Sequence, residues 1–127
     1  MSTLEDYMKY RIERARGTFK DAKLLAENGS WNSCVNRLYY ACFYMVSALL
    51  IKKGISAKTH NGIRTQFFMT FVKTGEVEQK HNAVYADLFS FRQEADYTDL
   101  VDFDKEKVMP LLEETEKFLL EIEKMIM

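Results

Sequence analysis

Residues that interrupt or cross-link a chain are scarce in this protein. Its 127 residues include one proline, five glycines, two cysteines and two histidines. With so few breakers, most of the chain is available for long helices. Cys34 and Cys42 fall eight residues apart on one predicted helix, about 12 Å, which is too far for a disulfide. His60 and His81 lie in other segments without metal-ligand spacing, so neither a metal site nor a cofactor is predicted.

Net charge and long apolar runs are also lacking. Eighteen basic residues against nineteen acidic ones give a formal charge of −1, so no global field attracts nucleic acid or an anionic membrane, and any such binding must be local. No stretch approaches about 18 uncharged apolar residues, and the first segment, MSTLEDYMKYRIERARG, has no signal-peptide core. We therefore expect a soluble cytoplasmic protein without a membrane segment.

What the chain does have is apolar residues at helical spacing. They make up 47% of the sequence with tyrosine included, enough for the core of one domain over residues 1–127. They recur every three or four positions in five segments. We predict Ser2 or Thr3 as the first cap, with Ser2 and Glu5 as a capping box, then Ser30 and Asp104 as caps of the second and fifth helices. The predicted helices span 3–28, about 31–53, about 60–73, about 76–91 or slightly beyond, and 104–127.

The short links between these segments make neighbouring helices antiparallel. The predicted fold is therefore all-α, an up-and-down antiparallel bundle of four long helices plus one short helix. The second helix is apolar around its whole circumference, which is typical of a central helix or a dimer contact. Pro110 falls inside the fifth helix and is expected to kink its first turns.

In such a bundle the end of the second helix, the start of the third and the end of the fourth meet at one pole. An exposed helix N-terminus with basic side chains can hold a phosphate. The alternative is structural, because lysines complement a helix C-terminus and Arg92 with Asp96 forms a surface i,i+4 pair. From these residues alone, the structural interpretation is preferred. The residues predicted at this pole are Lys52, Lys53, Lys58, Thr59, His60, Arg64, Arg92, Asp96 and Tyr97.

Two other polar features are interpreted as structural. The acidic loop with Asp96, Asp99, Asp102 and Asp104 lacks the ligand pattern and glycine of a calcium loop, so caps and a solvated turn explain it better. His81 lies on the apolar stripe of the fourth helix and is interpreted as a core or interface histidine with its hydrogen bonds satisfied. The basic face of the first helix is interleaved with acids and is interpreted as a solvated surface.

Three stretches together resemble the HEPN domain family in its small, stand-alone prokaryotic form. They are NRLYYACFYMVSALL in the second helix, GISAKTHNGIRTQFFMTFVKTG around the third, and FRQEADY at the end of the fourth. The resemblance implies an antiparallel helical bundle, a homodimer, and often a minimal nucleotidyltransferase as partner in a toxin–antitoxin-like pair. It also implies that catalytic members are metal-independent ribonucleases. Those members use an arginine and a histidine with four to six residues between them, in a site formed across the dimer.

Arg92 matches the arginine of that motif, but the positions that should offer histidine hold Tyr97, Thr98 and Asp99. RNA cleavage without a metal needs a group that exchanges a proton near neutral pH, and a tyrosine with a pKa of about 10 is poor at this. Arg92 can still bind a phosphate through two hydrogen bonds. We therefore predict a module of a nucleotidyltransferase pair that binds a nucleotide, an RNA phosphate or its protein partner, and that is not an active ribonuclease.

Two alternatives remain open at this point. One is a ribonuclease toxin in which His60, brought from the third helix, supplies the imidazole beside Arg92. The other is a purely structural helical bundle whose exposed aromatic residues on the second helix bind another chain. Both share the predicted fold, so the fold alone does not separate them from the main prediction.

Overall fold

The computed structural model describes residues 3–97 and 102–127, with the side chains of residues 95–97 left out. Within these ranges the chain is helical and contains no strand, which confirms the all-α prediction. The π-helical turn Phe68–Val72 directly continues the third helix. The helices are α1 (Leu4–Glu27), α2 (Trp31–Lys52), α3 (His60–Phe67), α4 (Gln79–Tyr97) and α5 (Lys105–Ile126).

α2 is the central helix of the bundle. It contacts α1, α3, α4 and α5, and more than half of its residues are buried, including Tyr39, Met45 and both cysteines. Its length and mean hydropathy would also let it cross a membrane, but 67% of its most apolar window is buried inside the protein. That burial is typical of a core helix of a bundle, and the apolar circumference of α2 predicted a central helix.

Side-chain caps begin three of the helices. Thr3, one of the two predicted caps, caps α1 in a capping box with Asp6, whereas the predicted box of Ser2 and Glu5 involves Ser2, which lies outside the described residues. Asp104 caps α5 as predicted, with its Oδ1 accepting from the Lys107 amide at 2.9 Å. Ser30 precedes α2 but its side chain makes no capping bond, so the predicted Ser30 cap is wrong; its hydroxyl accepts from the Asn28 side chain.

The boundaries of α3 and α4 differ from the prediction. After the π-helical turn the chain bends at Gly75, whose φ of +88° favours glycine, and the Val77 amide bonds back to the Phe71 carbonyl. This turn delays the start of α4 to Gln79, three residues later than predicted, and α4 then continues to Tyr97. α5 runs on through the exposed Pro110 without interruption.

The caps of α5 and α2 should differ in their contribution to stability. We expect Asp104→Ala to lower the free energy of unfolding by about 1 kcal/mol, because the Lys107 amide loses its acceptor. Ser30→Ala should lower it by less, since Ser30 makes no capping bond. Urea titrations with unchanged m-values would measure both, and equal losses would contradict the capping roles observed here.

Candidate functional site

A cluster of polar and aromatic side chains lies beside α2, where α3 and α4 meet it. The buried Tyr39 hydroxyl lies 2.7 Å from Nδ1 of His60. The His60 ring stacks on Phe43, with 4.4 Å between the ring centres and 11° between the planes. The guanidinium carbon of Arg92 is 4.8 Å from the centre of the Tyr39 ring, and its Nη1 donates to the Tyr40 hydroxyl at 3.4 Å. We call Tyr39, Tyr40, His60 and Arg92 the Arg92–His60 site.

The start of α3 fixes the position of His60. Thr59 caps this helix, and its hydroxyl accepts from the Gly62 amide at 2.8 Å. A Cβ at position 62 would approach the same hydroxyl oxygen to 2.9 Å, so glycine lets the cap close tightly. His60 is the first residue after the cap, and its ring therefore lies against Tyr39 and Phe43 of α2.

The electrostatics of the site favour a neutral imidazole and a protonated phenol. Burial lowers the pKa of His60, and the positive charge of Arg92 lowers it further. Burial raises the pKa of Tyr39, although Arg92 opposes part of that rise. We therefore assign the shared proton to Tyr39, which donates to Nδ1 of His60. The ring proton of the neutral imidazole then lies on Nε2, so His60 offers an N–H donor.

A second arginine extends the positive charge of the site. The Arg64 guanidinium carbon lies 4.5 Å from the centre of the Phe89 ring, and its Nη2 donates to the Asn61 side chain. Its buried Nε has no hydrogen-bond partner in the described part of the chain, where no carboxylate pairs with this arginine either. Arg64 thus keeps a positive charge that faces aromatic rings.

The structure brings together only part of the predicted pole. His60, Arg64 and Arg92 each contact the aromatic cluster formed by Tyr39, Phe43 and Phe89, and Thr59 caps α3. Lys52 lies thirteen residues beyond Tyr39 on α2, about 20 Å along the helix. Lys52 and the site residue His60 are far apart because the chain folds back along α2 after Gly54, with the Ile55 amide bonded to the Leu50 carbonyl.

The remaining predicted residues have other positions. Lys53 follows Lys52 at the exposed end of α2, and Lys58 lines a cavity of about 180 Å³ that also includes Phe43 and Ile63. Asp96 and Tyr97 belong to α4 by their backbone, but their side chains lie outside the described residues, as do Thr98 and Asp99 entirely. Asp102 is exposed.

His81 lies in the core, as the apolar stripe predicted. It is 5% exposed and its ring meets the edge of Phe118, with 6.3 Å between the ring centres. Its Nδ1 has no hydrogen-bond partner among the described residues, so the expectation of a fully satisfied histidine is wrong for this atom.

Sequence reasoning did not assign Tyr39, Tyr40 and Phe43 to the site, because the aromatic residues of this stretch can pack as easily as they bind. The sequence of α2 did contain a signal for this site. A tyrosine on the buried face of a central helix must place its hydroxyl near a hydrogen-bond partner. The available partners could have been sought among the polar residues of the adjacent helix ends, where His60 stands.

The fold and the site define a small helical bundle in which two tyrosines of the central helix meet a histidine of α3 and an arginine of α4. The sequence model of the HEPN domain matches residues 8–125, and the chain belongs to the HEPN domain family. A UPF0332 protein of Thermotoga maritima is 44% identical over 126 residues, covering 99% of this chain and 96% of the relative. Two proteins of Methanocaldococcus jannaschii, each named "Putative toxin", are 32% and 35% identical. These matches cover 85% and 88% of this chain, and 74% and 78% of the relatives.

Arg92 contacts Tyr39 and Tyr40, and Tyr39 bonds to His60. Because Arg92 lies this close to the imidazole, its replacement should change the pKa of His60. We expect Arg92→Gln to raise the pKa of His60, because a positive charge that opposes protonation of the imidazole is removed. The pKa of His60 should stay below the ordinary histidine value, since burial remains. Titration of the histidine ring protons by NMR would measure this shift.

His81 serves as an internal reference in the same spectra, because only two histidines are present. Arg16→Gln is the matched control, since Arg16 pairs with Glu123 on α5. An unchanged pKa of His60 in the Arg92 variant would show that the two residues do not interact.

Proposed function

We propose that this chain binds the phosphate of a nucleotide or of RNA at the Arg92–His60 site, and that it does so without acting as an efficient ribonuclease. The observation that carries the proposal is the convergence of Arg92 and His60 on one pair of tyrosines. The arginine offers planar N–H donors that suit phosphate oxygens. The neutral His60 adds its Nε2–H donor from a different helix.

The surroundings of the site suit a nucleotide better than an isolated phosphate ion. Tyr40 is partly buried, and the guanidinium carbon of Arg37 lies 5.1 Å from the centre of its ring. Aromatic rings next to arginines are the side chains on which bases of single-stranded nucleic acids stack. Because the net charge of the chain is −1, affinity for a polyanion has to come from such local clusters as Arg37, Arg64 and Arg92.

The protonation of His60 favours binding over cleavage. Metal-free cleavage of RNA requires a base for the 2′-hydroxyl. Nδ1 of His60 accepts from Tyr39, and Nε2 carries the ring proton, so the neutral imidazole has no free lone pair for that task. The lowered pKa also reduces the fraction of imidazolium that could protonate a leaving oxygen. The positions at which the motif would place its histidine hold Tyr97, Thr98 and Asp99, and none of them supplies an imidazole.

A ribonuclease toxin that uses Arg92 with His60 is the second candidate. It is favoured by the electrostatic effect of Arg92 on His60 and by the two relatives whose names read "Putative toxin". It requires the other tautomer of His60, with Nδ1–H donating to the Tyr39 oxygen and an unprotonated Nε2 acting as the base.

A minimal nucleotidyltransferase is the protein partner that we propose for this chain. The support for this partner is membership of the HEPN family, in the small form that the sequence resembles. A phosphate site between α2, α3 and α4 would give such a partner a place to deliver or recognise a nucleotide. Co-purification of the chain with the product of an adjacent nucleotidyltransferase gene would test the pairing.

Loss of Arg92 should weaken binding of nucleotides and RNA. We expect Arg92→Ala to lower the affinity for ATP and for a short fluorescent RNA by roughly tenfold to a hundredfold, the effect of losing one charge-assisted contact. Isothermal titration and fluorescence anisotropy would measure the two affinities. The control Arg16→Ala should bind as the unchanged protein does, because Arg16 is paired on another face.

The same RNA, analysed on a denaturing gel after incubation, separates the two candidates. We expect binding without cleavage. Cleavage that is lost in both Arg92→Ala and His60→Ala would establish the ribonuclease instead. Failure of the unchanged protein to bind either ligand would contradict both candidates.

A further inference from the structure

A cavity of about 440 Å³ lies where the end of α1 and the start of α2 meet the first turns of α5. Its wall is mostly apolar and contains Trp31, the only tryptophan of the chain. The other apolar residues of the wall are Ala26, Met109 and Leu112. Cavities that hold small molecules have volumes of about 300–1,000 Å³ and walls of this kind. We call this space the Trp31 cavity.

The wall of the Trp31 cavity leaves apolar surface in contact with water. Met109 is 36% exposed. Trp31, Ala26 and Leu112 are partly buried, since each also packs against the core. Removing apolar surface from water is favourable in proportion to the area removed. An apolar group that fits the cavity therefore gains free energy by covering these four residues.

A second cavity, of about 330 Å³, continues the first between α1 and α5. The two cavities share Lys23 as a lining residue. The second is lined by Phe19 of α1 and by Leu120 of α5, which is 56% exposed. Met109 and Leu120 are eleven residues apart on α5, about 16 Å along the axis. The two cavities together form a long groove with an apolar floor, which we call the α1–α5 groove.

Positive charge is in excess at the Trp31 end of the groove. Lys23 and Lys105 line the Trp31 cavity together with one carboxylate, that of Glu27. Neither lysine forms an ion pair with a carboxylate among the residues that the structure describes. Two ammonium groups against one carboxylate therefore leave one positive charge for an anionic ligand.

The other end of the groove repels an anion. Arg16 and Glu123 neutralise each other there in an ion pair with two hydrogen bonds, of 2.8 and 2.7 Å. Glu116 lines the same cavity and has no ion-pair partner within the described ranges. A ligand with one negative charge is thus oriented, with its charged group beside Lys105 and its apolar part directed toward Leu120.

We propose that the α1–α5 groove binds a carboxylate with an unbranched acyl chain, such as a medium-chain fatty acid. The carboxylate lies beside Lys23 and Lys105, and the acyl chain covers Trp31 before it extends toward Leu120. Both parts of this ligand match the groove, because the excess positive charge is confined to one end and the apolar wall continues through both cavities.

This ligand differs in chemistry from the one proposed for the Arg92–His60 site. The several negative charges of ATP or RNA would meet Glu27 and Glu116 in the groove. Trp31 lies eight residues before Tyr39 on α2, about 12 Å along the helix axis, and no residue of the Arg92–His60 site lines either cavity. The proposal therefore does not rest on the proposed function.

The emission of Trp31 reports occupation of the groove, because no other tryptophan contributes. We expect decanoate, kept below the concentration at which it forms micelles, to move this emission to shorter wavelength in a saturable way, since the acyl chain displaces water from the indole ring. Decylammonium carries the opposite charge and should bind at least about tenfold more weakly. Isothermal titration measures both affinities. Absence of saturable decanoate binding in both measurements, or equal binding of the two amphiphiles, would overturn the proposal.

Replacement of Lys105 tests the position of the carboxylate. We expect Lys105→Gln to weaken decanoate binding by about tenfold, because one charge-assisted contact is lost. The matched control is Lys117→Gln on the same helix, since Lys117 is exposed and pairs with Glu114 outside the groove. Circular dichroism checks that both variants stay helical. Equal affinities of the two variants for decanoate would contradict the assigned position.

A series of chain lengths tests the path of the acyl chain. From octanoate to dodecanoate, each added methylene that is buried should raise the affinity by about fourfold. Leu120→Ser should reduce the affinity for dodecanoate and leave that for octanoate unchanged, because only the longer chain reaches the second cavity. An affinity that does not rise with chain length, or an equal loss for both ligands in Leu120→Ser, would show that the chain does not follow the groove.

Discussion

The hydrogen bond between Tyr39 and His60 is the interaction on which the site depends. Tyr39 is fully buried on the central helix, and a buried hydroxyl without a partner costs about 1–3 kcal/mol. Its partner comes from the first residue of α3, so the bond joins two helices separated by a loop. The same bond fixes which nitrogen of His60 carries the proton. One hydrogen bond therefore both holds α3 against α2 and sets the protonation of His60.

The arginine of the FRQEADY stretch is positioned by the same tyrosines. Its guanidinium lies over the Tyr39 ring and bonds to Tyr40, so it is ordered before any ligand arrives. Preordered charged donors bind a phosphate at a lower entropic cost than flexible ones. The family motif places its histidine a few residues after the arginine. This chain offers an imidazole from α3 instead, and in a protonation state that suits hydrogen bonding to a phosphate.

The sequence predicted the fold well and the site in part. Helical spacing located all five helices, and Asp104 was identified as a cap because a side-chain acceptor before an apolar run is a local signal. The proximity of His60 to Arg92 was only an alternative, since it depends on where the loop after Gly54 travels. The bond from the Ile55 amide to the Leu50 carbonyl turns that loop back along α2. This separates Lys52 from His60, which periodicity alone does not reveal.

The start of α4 was missed for a similar reason, because the turn at Gly75 is held by bonds between residues of different segments.

The central claim is that Arg92 and His60 together hold a phosphate, and the titration of His60 in the presence of ATP tests it most directly. The negative charge of a bound phosphate stabilises the imidazolium form, so saturating ATP should raise the pKa of His60 measured by NMR. The ring resonances of His81, which is buried in the core, should not change. If saturating ATP leaves both the pKa and the ring resonances of His60 unchanged, the phosphate does not bind at this site.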